Sequence, residues 1–449
     1  VRAGNPVTVW TNFEYLMFFS KGQRVGIPLL TTSAVSDFGV LGALTTTPLI
    51  GGETVGFSYQ PGWRFTAGVF VDPDRRLGIE ATGFFVNRNS QTRAGASSDE
   101  GGPLLAVPYQ DQFDGGVNAS RTLSSSARTP AFVGTFDFQG LRNGVLTQRT
   151  IVNIPGVGPS ALNRQRPNPI YVQTGPILGA ALFETATLSW GTELNGLVNI
   201  FRGTGENPWN FNLMSGVRYF LLDERMAFFT SSVSRSPGYT EQTLISVPRL
   251  PDVLEDRFVP TSTSFLGQNY IGAHTIQTLD TWHTTNDLVL AQVGFSWDAR
   301  LGPLVFMGYA KAGAGLNYQV SDLGGQSAIE FSDQGGLTAG ARNTAVGGSY
   351  NVGADLGIHR NITFAIAGEI GLNLGIQITP NVMAYAGGSA LWVNGVTRVG
   401  DLHTGSVNSA LVPVSPNYGA ATSTTFPRDY FPKSDFWLFG ANFGLQLRY

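Results

Sequence analysis

The chain has 449 residues, a formal net charge of −3, 12% aromatic and 13% charged residues, and no cysteine. Mild acidity excludes a basic nucleic-acid surface, and the missing cysteine excludes disulfides and cysteine-ligated metals. Soluble domains carry about 25% charged residues, and 30 phenylalanines with 8 tryptophans argue against disorder, so much of the surface is expected to face lipid.

No apolar run reaches the roughly 20 residues of a spanning helix, which leaves a closed barrel as the only way across a bilayer. The chain begins Val1-Arg2-Ala3, as a processed mature form would. From there a two-faced pattern recurs at about ten places, each about ten residues long, the length of a tilted membrane strand.

The first segment, near 9–19, sets Phe13, Tyr15, Met17 and Phe19 against Asn12 and Glu14. The second, 63–71, sets Trp63, Phe65, Ala67 and Val69 against Arg64 and Thr66, and the third, 77–86, sets Leu77, Ile79 and Phe85 against Glu80 and Thr82. In the fourth and fifth, 188–201 and 209–221, Glu193, Asn195 and Arg218 oppose Trp190, Leu194, Val217 and Tyr219. The sixth, 287–297, has Val289, Val293 and Phe295 outward, and the seventh, 304–320, has Lys311, Asn317 and Gln319 on its polar face. The eighth, 362–378, alternates most regularly, with Ile362 to Ile378 against Thr363, Glu369, Asn373 and Gln377; the ninth, 382–393, alternates weakly. The tenth, 435–449, puts Trp437, Phe439, Phe443, Leu445, Leu447 and Tyr449 on one face, with Gln446 and Arg448 on the other.

These segments predict an all-β, antiparallel, up-and-down transmembrane barrel of about ten strands, with twelve as the alternative. Connections after strands two, four, six and eight are short; the others, 20–62, 87–187, 222–286, 321–361 and 394–434, are long. Short turns on one side and long loops on the other suit a bacterial outer-membrane barrel with its loops extracellular and both termini periplasmic. The loops mix aliphatic and aromatic residues with Gly, Pro, Ser and Thr over Val25–Leu49, Ala131–Leu141 and Ile170–Phe183, which points to an ordered cap with some β-structure.

The inward charges form a balanced set, Glu14, Arg64, Glu80, Glu193, Arg218, Lys311, Glu369 and Arg448. A narrow barrel with paired interior charges is expected to be plugged rather than open. Arg448 has Glu14 on the neighbouring strand as its expected partner.

No enzyme is expected. The chain lacks a Gly-x-Ser-x-Gly elbow, a zinc-binding His-Glu-x-x-His helix and a phosphate loop. Its four histidines, His274, His283, His359 and His403, fall in or beside predicted loops; only His283 has flanking carboxylates, Asp280 and Asp287, to orient it. Asp252 and Asp256 match no calcium-loop spacing, so neither metal nor cofactor is expected.

The aromatic tail, with Phe439, Phe443, Leu445, Leu447 and Tyr449, looks like the insertion signal that ends outer-membrane barrels. The wider chain resembles the type-seven putative β-barrel porin family of planctomycetes. Phe13-Glu14-Tyr15-Leu16, Gly39-Val40-Leu41-Gly42, Gly62 to Gly68, Gly78-Ile79-Glu80-Ala81, Gly216 to Tyr219, Gly371 to Gly375, Asp435-Phe436-Trp437 and Asn442 to Leu445 carry that resemblance. It implies an outer-membrane barrel, and the stretch from about Gly101 to Thr185 has no counterpart in it. The expected role is structural or surface-covering, with a diffusion porin and a loop-based surface hydrolase as alternatives. Expected partners are outer-membrane lipid, the barrel-insertion machinery through the C-terminal strand, and neighbouring copies in an oligomer or surface array.

Overall fold

The computed structural model describes residues 8–72, 74–126, 138–142, 145–148, 176–203, 208–234, 238–245, 253–260, 262–271, 273–331, 341–421 and 428–449. Ten strands form the ring of the main sheet: β1 Thr8–Ser20, β2 Gln60–Phe70, β3 Leu77–Ala96, β4 Ile177–Arg202, β5 Trp209–Ser234, β6 His274–Leu301, β7 Leu304–Phe331, β8 Gly357–Thr379, β9 Val382–Val396 and β10 Ser434–Arg448; an eleventh, Arg342–Val346, pairs with the upper part of β7. Each of the ten pairs antiparallel with its chain neighbours, and β10 pairs with β1 from Trp10↔Arg448 to Ser20↔Leu438. Along its lower part the ring therefore closes without an edge, each strand being hydrogen-bonded on both sides within the wall.

Gly302 and Pro303 alone join β6 to β7, and Pro380 and Asn381 alone join β8 to β9. These short turns share one rim with both ends of the ring, where Val9 N–H donates to the Tyr449 carbonyl. The long connections leave from the opposite rim.

The wall is lopsided. Strands β4 to β7 run for 26, 26, 28 and 28 residues, whereas β1 and β2 have 13 and 11. Near the turn rim the outward residues are large and apolar, with Ile370 and Leu372 61% and 65% exposed, and Phe439, Phe443, Leu445, Leu447 and Tyr449 exposed beside them. Such a continuous apolar ring is a lipid-facing surface.

Farther up, the polarity of the two faces reverses. On β5 the outward series Val217, Tyr219, Leu221 gives way to Asp223 and Arg225, while the inward series passes from Arg218 to Phe220, Leu222, Met226 and Phe228. The upper wall is thus a sheet with its oily face inside, and something must cover that face. The long connections do so. Gln23–Ser33, Thr47–Val55, Leu104–Asp111, Val117–Ser124, Phe138–Arg142 and Val145–Gln148 form a second sheet, with Ser406–Val407 paired parallel to Leu104–Asp111. Its Val25, Leu30, Val107, Tyr109 and Leu123 pack in one core with the inward Phe183, Phe228, Ile276 and Trp282 of the wall. The Arg121 guanidinium donates to the hydroxyls of Thr230 and Thr278, and Ser232 donates to the Leu123 carbonyl at 2.8 Å.

The stretches 87–187, 222–286 and 321–361 were expected to be loops. The structure corrects this, because β3 to β8 all extend into them. His274, His283 and His359 accordingly stand on strands, and His403 alone lies in a connection. Residues 127–137, 143–144 and 149–175 of the longest connection, including most of Ala131–Leu141 and the start of Ile170–Phe183, lie outside the described residues, as does Asp252.

Candidate functional site

Charged side chains converge in the lumen, which is layered along the barrel axis. Arg64 on β2 donates from Nη1 to Glu14 of β1 at 3.3 Å and from Nη2 to Glu369 of β8 at 3.2 Å. The Arg218 guanidinium on β5 binds Glu369 and reaches Glu193 of β4 at 2.8 Å, and Lys311 Nζ of β7 donates to the other Glu193 oxygen at 2.9 Å. Tyr385 Oη donates to Glu14 at 2.8 Å and Tyr309 Oη to Glu369 at 2.9 Å. Strands β2 and β8 lie on opposite sides of β10, so the Arg64–Glu369 pair spans the lumen.

All six charged members are buried or nearly so, with three carboxylates, Glu14, Glu193 and Glu369, against three cations. Burying a charge is tolerable only when it is paired and hydrogen-bonded, which this chain of contacts achieves. Gln292 adds a further donor to Glu193 at 2.8 Å.

Two other expected members sit apart. Glu80 accepts from Trp10 Nε1 at 3.2 Å and makes no described ion pair. Arg448 lies at the turn rim beside Gln446 at 3.4 Å. Its expected pairing with Glu14 is not formed, because Glu14 lies opposite Gly444 and is held by Arg64 and Tyr385, whereas Arg448 lies opposite Trp10, nearer the rim.

The next inward positions form a layer of opposite chemistry. Leu16, Phe18, Phe84, Val86, Phe220, Leu222, Leu288, Leu290, Leu391, Val393, Phe436 and Leu438 are buried in one cluster. The rings of Phe84, Phe220 and Phe436, from β3, β5 and β10, follow one another at centroid distances of 6.2 Å. Glycine at 191 makes room for them: a Cβ there would lie 2.8 Å from the Phe84 ring. The paired interior charges are thus accompanied by an apolar layer that the sequence reading did not include.

Above this layer Arg398, from the connection after β9, reaches back into the barrel. Its Nε donates to both oxygens of Glu224 at 2.9 and 2.8 Å, and Nη2 donates to Gln23 and to the Lys21 carbonyl. Both partners of this ion pair are buried, at 2% and 0% side-chain exposure. Glu224 is signalled in the sequence by continued alternation past Leu221; Arg398, on a non-repetitive segment, carries no comparable signal.

His283 is not oriented by its flanking acids. Asp280 faces inward and accepts the backbone N–H groups of Ser349, Tyr350 and Asn351, while Asp287 accepts from Tyr219. The imidazole instead meets Asp223 at 2.7 Å on the outer wall, where Arg88 and Arg225 share the same carboxylate. Among the described residues no group of three or more His, Asp or Glu side chains is arranged to hold a metal ion.

The family model described as Putative beta barrel porin-7 matches residues 10–138 and 248–449. The unmatched interior, 139–247, holds β4 and β5, so the unmatched stretch begins later and ends later than expected, and Gly216 to Tyr219 falls inside it. Among solved structures, the outer membrane protease OmpT from Escherichia coli is 10% identical, with 98% of this chain and 97% of that chain covered and a TM-score of 0.33. A FadL homologue of Pseudomonas aeruginosa is 8% identical, with 99% and 90% covered and a TM-score of 0.20. No curated protein matches the chain.

Proposed function

The chain belongs to the Putative beta barrel porin-7 family, as a porin-like β-barrel of the outer membrane, and from that premise we propose that its own barrel is non-conducting and serves as a structural, surface-covering element. The observation that carries this reading is the succession of two unlike layers across one lumen. Arg218 of the ion-paired layer and Phe220 of the apolar layer are consecutive inward positions on β5, about 7 Å apart along the strand. A hydrated ion would have to break the Glu14–Arg64–Glu369–Arg218–Glu193–Lys311 chain and then shed its water among phenylalanines and leucines.

The long connections support the surface role. With the short turns and both termini taken as periplasmic, the second sheet forms a cap on the cell exterior, held by the reversed polarity of the upper wall. Lipid covers the lower ring, the insertion machinery reads the strand ending in Phe439, Phe443, Leu445, Leu447 and Tyr449, and the smooth outward strip of Ala384, Ala386, Gly388 and Ala390 on β9 is where a neighbouring copy would approach in an oligomer or array. We read the role as non-enzymatic. The His283–Asp223 pair faces outward and shares its carboxylate with two arginines, the arrangement of a surface ion cluster. The test is a liposome-swelling assay with the purified full chain: no swelling in small sugars or amino acids is expected, and size-dependent swelling would favour a diffusion porin instead.

A further inference from the structure

Below the ion-paired layer the lumen widens into a blind cavity of about 220 Å³ that opens at the turn rim. Its lining carries six basic groups, Arg64, Arg75, Arg202, Arg300, Arg448 and Lys311, against four acidic ones, Glu14, Glu80, Asp298 and Glu369. The imbalance is concentrated at the mouth. Arg64 and Lys311 are already paired on the floor, whereas among the described residues none of the ion pairs includes Arg75, Arg202, Arg300 or Arg448.

These four come from four places on the rim: the β2–β3 turn and the ends of β4, β6 and β10. Arg448 interacts electrostatically with Arg75, Arg202 and Arg300, and with Asp298 as the opposing carboxylate. Asp298 itself accepts from Asn210 at 3.0 Å. Arg75 holds a left-handed backbone, φ 55°, a conformation that a non-glycine residue adopts at a cost. The Asp72 carboxylate fixes that turn by accepting the N–H groups of Arg76 and Leu77. An arginine on such a turn, with Arg202 and Arg448 close enough to repel it, is an arrangement that a bound anion would stabilise.

The geometry points to a binding site for a small, multiply charged anion at this mouth, held by Arg75, Arg202, Arg300 and Arg448, with carboxylate or phosphate oxygens as the recognised chemistry. Guanidinium groups bind both in forked geometry. The cavity is smaller than the roughly 300–1,000 Å³ of pockets for drug-sized ligands, so the anion is compact. Behind the arginines the lining is neutral and hydrogen-bonded within itself, with Gln446 donating to Asn12 at 3.0 Å and Asn199 to Asn212 at 2.8 Å. With the turn rim taken as periplasmic, the site faces the periplasm.

The test is calorimetric titration of the folded full chain in detergent with inorganic tripolyphosphate and, separately, citrate. Saturable binding of at least one is expected, weakening at least tenfold in the Arg300→Gln/Arg448→Gln double variant and on raising the salt, and unchanged in Arg88→Gln on the outer wall. If the double variant fails to fold, Arg202→Gln, whose side chain is exposed at the rim, is expected to weaken binding several-fold. The tripolyphosphate and citrate arms identify which oxyanion is preferred. Absence of saturable binding to the wild-type chain, or equal weakening in Arg88→Gln, overturns the proposal. The titration is indifferent to conductance, so this site and the non-conducting reading fail separately.

Discussion

Glu369 is the residue on which the ion-paired layer turns, since it accepts from Arg64, Arg218 and Tyr309 at once. Glu369→Ala leaves two buried guanidiniums without their common partner, and removal of one member of a buried pair costs about 3–5 kcal/mol. Unfolding of the variant by urea in lipid vesicles should show a loss of that order. A loss within experimental error would mean that water already solvates the lumen. His403, in the connection after β9, is buried and packs edge-on against Tyr350 and Trp282, at 4.5 and 5.7 Å between ring centroids. Burial, with the nearby Arg428 adding to it, pushes its pKa down to about 3 from the usual 6.5. The folded form therefore refuses a proton that the unfolded form accepts below about pH 6.5. Its contribution to stability is full above that pH and is lost progressively as pH falls toward 3. Protection factors for hydrogen exchange across 397–415, taken relative to the intrinsic exchange rate at each pH, should fall between pH 7 and 5 in the wild type, with His403→Phe flattening that dependence; an unchanged slope in the variant would assign the effect to other groups.

At the scale of single strands, depth in the bilayer is the controlling variable. Ile370 lies near the middle of β8, and Ile358 near its upper end, both outward and exposed. An arginine costs about 2–4 kcal/mol at the bilayer midplane and about 0–1 near the interface. Ile370→Arg should therefore destabilise the barrel strongly in vesicles, and Ile358→Arg scarcely; equal penalties would displace the lipid belt from where the apolar ring sets it. The same contrast explains what the sequence made legible. Within the belt, apolar and polar residues alternate in one phase, as in Ile370, Leu372 and Leu374 against Glu369 and Asn373, and the strands stand out. Above it the phase inverts, as between Arg218 and Phe220 on β5, and a reading that tracks outward apolar residues stops at the crossing. The upper halves of β4 to β7 were invisible for that reason. The Arg398–Glu224 pair and the arginines of the mouth escaped for another: they join residues far apart in the chain, and nothing local announces the meeting.

For the molecule as a whole, the layers act in series. A barrel of ten strands is little wider than one that side chains fill, and here an arginine-lined vestibule, an ion-paired layer, an apolar layer and a loop core succeed one another from the turn rim upward. Any one layer open would leave the others in place, so the wild-type chain is expected to be silent. The most direct test is planar-bilayer recording from the purified full chain at neutral pH and in about molar salt. The account predicts no steady conductance above the bare membrane at moderate voltage. Reproducible, long-lived openings of uniform size, present in every folded preparation, would contradict it.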